Sequence, residues 1–119
     1  MKDNVIQDKS YDFALLIVKL SRFLSEEKNE NILSKQVLRS GTSIGANIEE
    51  AIGGQSHKDF IGKMSIAHKE ARETLYWLRL LKDSGYLSDS QSDSIQEECR
   101  ELIKILTSIL NTAKQNKHS

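Results

Sequence analysis

A chain of 119 residues is one domain by length, residues 1–119, and buries roughly two thirds of its unfolded surface without needing a disulfide or metal staple. Its single cysteine, Cys99, excludes an internal disulfide framework and fits a reducing cytoplasm; no stretch nears the roughly 18 uncharged apolar residues that cross a bilayer, and the polar opening MKDNVIQDKSYD lacks the apolar run of a secretory leader. Lys+Arg and Asp+Glu balance at 17 each, so no bulk field draws the chain to nucleic acid, although residues 35–82 carry 8 basic against 5 acidic side chains.

Proline is absent, which favours helices over sheet edges and proline-punctuated loops. Apolar positions recur at helical spacing in four segments, approximately 4–25, 34–52, 57–84 and 89–114. The first carries Val5, Ile6, Phe13, Leu16, Ile17, Leu20, Phe23 and Leu24 as its core stripe. After the polar link EEKNEN, Ser34 is the expected N-cap of the second, whose stripe is Val37, Ile44, Ile48 and Ile52. Gly53-Gly54 is expected to end it in left-handed conformations. Ser56-His57-Lys58-Asp59 reads as a capping box for the third, which buries Phe60, Met64, Ala67, Ala71, Leu75 and Leu78 and stops near Gly85. Ser88 or Ser90 caps the fourth, with Ile95, Cys99, Leu102, Leu106, Ile109 and Ala113 in heptad steps. Short connections imply antiparallel neighbours. The expected fold is all-α, an up-down-up-down four-helix bundle.

The second segment contains RSGTSIGANIEEAIGG, with four of the six glycines of the chain. On a helical wheel Gly41 and Gly45 fall within the apolar arc, one turn apart, where a missing side chain lets another helix approach closely. A phosphate-cradling loop is the competing reading, but no strand precedes these glycines and no GK[ST] follows.

Two helices carry more apolar surface than a single bundle needs. The first has a second strip of Tyr11, Ala14, Leu15 and Val18; the third has Gly62, Ile66, Trp77 and Leu80, interrupted by Glu70 and Glu73. Exposed strips of this kind mark an interface, so Tyr11, Leu15, Val18, Gly62, Ile66, Trp77 and Leu80 are expected to join copies of the chain. Glu70 and Glu73 inside such a strip call for basic partners, and Lys35 and Arg39 are the candidates. Ser43 and Asn47, beside the apolar stripe, are expected to bond across helices.

Catalytic patterns are sought in vain. No Glu precedes His57, His68 or His118 by three residues, as a bundle di-iron site requires. Cys99 lies on a buried seam with no positioned base, and Glu49-Glu50 point roughly 100° apart on their helix. The sequence is therefore read as non-enzymatic, with no catalytic, metal or cofactor residue and no small-molecule substrate or membrane partner. The alternative is contact with RNA or DNA through Lys35, Arg39, Lys63, Lys69 and Arg72, a modest cation set that an oligomer multiplies into a basic rim or pore.

LSKQVLRSGTSIGANIEEAIGGQSHKDF followed by EARETLYWLRLLKDSGYL resembles the four-helix-bundle family named for proteins encoded in intervening sequences of 23S ribosomal RNA genes. The most specific matches are Gln36, Arg39, Ser43-Ile44, Asn47-Ile48, Glu50, the Ser56…Asp59-Phe60 helix start and Gly85-Tyr86-Leu87. The resemblance implies a homo-oligomer, typically a pentameric ring. Accessory proteins of diversity-generating retroelements look like relatives, and there the ring is basic and engages a nucleic-acid enzyme and nucleic acid. This chain departs from the usual pattern at Gly54-Gln55, where many members carry paired arginines.

Overall fold

The computed structural model describes residues 2–116, and side chains from Val5 onward. Four helices account for nearly all of them: α1 Lys2–Glu27, α2 Leu33–Ile52, α3 His57–Asp83 and α4 Asp89–Gln115. They form an all-α four-helix bundle measuring 50 × 21 × 21 Å, with no strand among the described residues. Each helix packs on its sequence neighbour and α4 returns to α1, while the diagonal pairs do not touch. No described helix is long and apolar enough to cross a membrane.

The core takes Phe13, Ile17 and Leu24 from α1, Val37, Ile44 and Ile48 from α2, Met64, Ala67, Ala71 and Leu78 from α3, and Cys99, Leu102 and Leu106 from α4. The heptad seam of α4 is buried throughout except for Ile109, which is half-covered. Three residues assigned to core stripes lie outside it. Val5 and Leu16 are 49% and 41% exposed because they sit on the α4 side of α1, where α4 stands off. Ile52 is exposed because it closes the last turn of α2.

The helix ends show how local chemistry sets the boundaries. Ser34 is not the N-cap of α2; it is buried as the second residue of the helix, and Ile32 at the cap position makes no side-chain bond. Glu30 takes over, its carboxylate accepting from the backbone N–H groups of Ser34 at 2.8 Å and Ile32 at 3.3 Å. An acceptor reaching back from the loop satisfies the same orphan donors that a serine cap would. Gly53, with φ −83°, is not left-handed, and the chain leaves α2 through ordinary backbone bonds. The left-handed glycine is Gly85, φ +88°, which ends α3 in a Schellman turn: Tyr86 N donates to Leu81 O and Gly85 N to Lys82 O. Ser56 accepts from Asp59 N at 3.0 Å at the start of α3. Ser88, rather than Ser90, caps α4 in a complete capping box with Gln91.

The α1·α2 seam is close-packed at its glycines. A Cβ added to Gly41 would stand 2.7 Å from Ile17 Cγ1 and 2.8 Å from its Cγ2, whereas one on Gly45 would meet the Ser10 backbone and hydroxyl at 3.4 Å. Gly41 therefore lets α1 approach closely, and Gly45 lies one turn along the same contact.

Candidate functional site

The notable surface lies around α2, on the two faces where it meets α1 and α3. Arg39, on the α3 edge of α2, spans to α3 and pairs with both Glu73 and Glu70, the latter at 3.3 Å. Glu73 also accepts from Trp77 Nε1 at 3.0 Å, one turn further along α3, and Trp77 meets Tyr76 edge-to-face at 5.1 Å. Arg39 is thus the cation shared by the two glutamates that interrupt the apolar strip of α3. Lys35 forms no ion pair among the described residues.

The same edge continues toward the C-terminus of α2. Asn47 does not bond across helices among the described residues: its Nδ2 donates to the i−4 carbonyl, Ser43 O, within α2 at 2.8 Å. Glu50 pairs with Lys63 of α3 at 2.8 Å. Beneath this polar line, the buried hydroxyls of Ser40 and Thr74 hydrogen-bond at 2.9 Å. Nothing in the sequence around serine 40 or threonine 74 marks a buried pair, since only the packing of α2 on α3 supplies a partner for each.

The interface candidates occupy two strips. On α1, Tyr11 is 65% and Leu15 48% exposed, with Val18 half-covered. On α3, Gly62 has no neighbour within 4 Å of an added Cβ, Ile66 is 38% exposed, and Trp77 and Leu80 are half-covered. The strips do not meet, because α1 and α3 lie on the diagonal. Both lean toward α2: Tyr11 borders a groove with Thr42 and Ala46, and Trp77 is tied to Arg39 through Glu73.

Of the five cations considered for nucleic acid, Arg39 and Lys63 are engaged by carboxylates, while Lys35, Lys69 and Arg72 are exposed with no ion pair among the described residues. The Glu50 partnership raises the Lys63 pKa through its hydrogen bond and charge.

Two groups with altered acidity sit on the α3·α4 seam. Burial pushes the Cys99 thiol up to about 12, and its Sγ lies 3.3 Å from Ala71 O. A thiol so held is a small hydrophobe at neutral pH, not a nucleophile. His68 Nε2 lies 2.9 Å from Thr107 Oγ1, whose own proton goes to Ile103 O, so the histidine is the donor. Burial first, then Arg72 and Lys114, lower the His68 pKa. Among the described residues no three His, Cys, Asp or Glu side chains converge as a metal set would.

Comparison with known proteins places this geometry. No curated protein matches the chain. A solved protein of unknown function from the S23 ribosomal protein family of Bacteroides thetaiotaomicron superposes with a TM-score of 0.91 at 54% identity, over 93% of this chain and 99% of that one. The family model described as 23S rRNA-intervening sequence protein matches residues 2–108, which spans all four helices, and the chain belongs to that family.

Proposed function

We propose that this protein is a non-enzymatic building block that assembles with copies of itself into a small ring and serves in the cytoplasm as an interaction scaffold. The observation that carries the reading is the pair of apolar strips, Tyr11–Leu15–Val18 on α1 and Ile66–Trp77–Leu80 on α3, on helices that do not touch. One strip can be a local accident of packing; two distinct strips give each copy two different docking faces, the requirement for a heterologous ring. Because both lean toward α2, they lie on adjoining sides of a roughly square bundle. Faces at roughly a right angle close a ring with about four or five copies, in keeping with the pentamer implied by family resemblance.

Native mass spectrometry and sedimentation velocity at micromolar concentration test this directly. A closed species of several chains is expected, dissociated by Leu15→Asp and by Ile66→Asp. Wild-type protein sedimenting as a single chain at micromolar concentration would overturn the reading.

Binding of RNA or DNA is the second reading. Lys35, Lys69 and Arg72 support it by remaining free of carboxylates within the chain, whereas Arg39 and Lys63 are already neutralised. It calls for salt-dependent retention on a nucleic-acid matrix that Lys35→Glu weakens.

A further inference from the structure

Helices α1 and α3 run in the same direction, since each is antiparallel to α2. Ile17 presses on Gly41, and the adjacent Ser40 bonds Thr74 at 2.9 Å, so Ile17 and Thr74 stand at one height on the bundle. Asp12 lies five residues before Ile17 and Lys69 five before Thr74, which makes them level at about 1.5 Å of rise per residue. By the same count Leu15 is level with Arg72, and Lys19 with Tyr76.

Asp12 and Lys69, at one height, carry opposite charges, with Asp8 one turn below Asp12 and Arg72 just under a turn above Lys69. Asp8 and Asp12 are exposed beside the α1 strip and form no salt bridge among the described residues. Lys69 and Arg72, beside the α3 strip, are exposed and equally without one. Glu73, the acidic group within that strip, is already held by Arg39 and Trp77. The acidic edge looks outward between α2 and α4: Asp8 and Asp12 border a groove with Glu49 of α2, and Asp12 precedes by one turn Leu16, which borders the α1·α4 groove; Arg72 follows by one turn His68, bonded to Thr107 of α4.

We propose that copies dock head to tail, the α1 strip of one against the α3 strip of the next, with Asp8 and Asp12 paired to the next copy's Lys69 and Arg72. The proposal rests on the scaffold reading and specifies its joint. In a ring of parallel rods every copy keeps its height, so Asp12 meets Lys69 with no vertical slip, and Asp8 and Arg72 each stand within about one turn of that pair, on opposite sides of it. The exposed Tyr76 ring then meets the Lys19 ammonium one turn higher, a cation–π geometry. The match ends above that, where Arg22 is level with Arg79, and the joint is centred on the lower half of the strips. A two-fold dimer through α1 alone would set Asp8 and Asp12 against their own copies. Like charges oppose that arrangement.

Two charge-reversed variants test the joint, Asp8→Lys/Asp12→Lys and Lys69→Glu/Arg72→Glu, each followed alone and mixed one to one by sedimentation velocity in low salt. Each alone has like charges at every joint, and its dissociation constant is expected to rise about tenfold or more. The mixture is expected to reassociate through joints between unlike variants, because the reversed edge of each complements the other, closing an even-numbered ring or leaving one like-charged joint in an odd-numbered one. Recovery on mixing also shows that both variants are folded. Variants that assemble like wild type, or that fail to reassociate when mixed, would overturn this register; in the first case the acidic edge would belong to a partner other than a copy. Dissociation by Leu15→Asp without any effect of the charge reversals leaves the scaffold reading standing and sinks the pairing alone.

Discussion

Helix α1 meets the rest of the bundle along two flanks that differ sharply. Toward α2 it is pressed so close that Gly41 has no room for a methyl group beside Ile17, with the Ser10 backbone against Gly45 and Ser21 donating to Ser34 O at 3.3 Å. Toward α4 it stands off. That flank keeps an open groove of about 580 Å³ bordered by Val5, Phe60, Ile105 and Ile109, and a second beside Leu16, Leu20 and Phe23. A lone ion pair, Lys9–Glu101, bridges it on the outside. The contrast teaches that apolar periodicity identifies which residues can be buried, while small residues on the facing helix determine which of them are.

The sharpest way to break this comparison is to truncate neighbouring residues on the two flanks. Ile17→Ala is expected to cost about 2–5 kcal/mol by leaving a cavity in a site that cannot collapse, while Leu16→Ala costs less than about 1 kcal/mol. Urea denaturation measures both, and equal losses would erase the distinction. Next in size is the glycine pair. Gly41→Ala is expected to lose about 1–2 kcal/mol net, since overpacking Ile17 outweighs the helix-propensity gain, while Gly45→Ala stays within about 0.5 kcal/mol of wild type. Smaller again is the α2·α3 face, where the side chain of Arg39 is 49% exposed. Arg39→Ala should cost about 0.5–1 kcal/mol, and Trp77 fluorescence should shift as Glu73 loses its cation.

The smallest effect concerns the α3·α4 seam and is read by pH. His68 is harder to protonate folded than unfolded, because burial, Arg72 and Lys114 disfavour its charge. The unfolded chain therefore binds the extra proton first, and stability falls as pH drops below the ordinary histidine value of 6.5. His68→Gln should flatten the loss between pH 7 and 5 in thermal melts, and an unchanged profile would place the acid sensitivity elsewhere.

Much of this was legible in the sequence where one side chain or one spacing suffices. The four helical segments, the Ser56 and Ser88 starts and the Gly85 stop all follow from local rules. Gly41 was legible because two glycines one turn apart on an apolar arc need a neighbour to justify them. Arg39 as partner of Glu70 and Glu73 followed from the need to neutralise carboxylates within a greasy strip. What stayed hidden depends on the neighbour's position. Ser34 looks like a cap until Glu30 folds back over the same amides. Val5 and Leu16 fit the stripe and are left exposed by a helix that stays away. The buried Ser40–Thr74 pair has no local signature and exists only once α2 and α3 are laid side by side.

Four antiparallel helices bring the chain back to the end of the rod where α1 begins, and the groove shared by Val5 and Asn116 puts the start of α1 beside the end of α4. Cargo genetically fused to either terminus would project from that one end of the 50 Å rod, leaving its flanks and the opposite tip, with the α1–α2 and α3–α4 links, uncluttered. In any arrangement that keeps the rods parallel, tails from all subunits would emerge on a common side, so labels placed there would crowd together while the reverse side stayed bare.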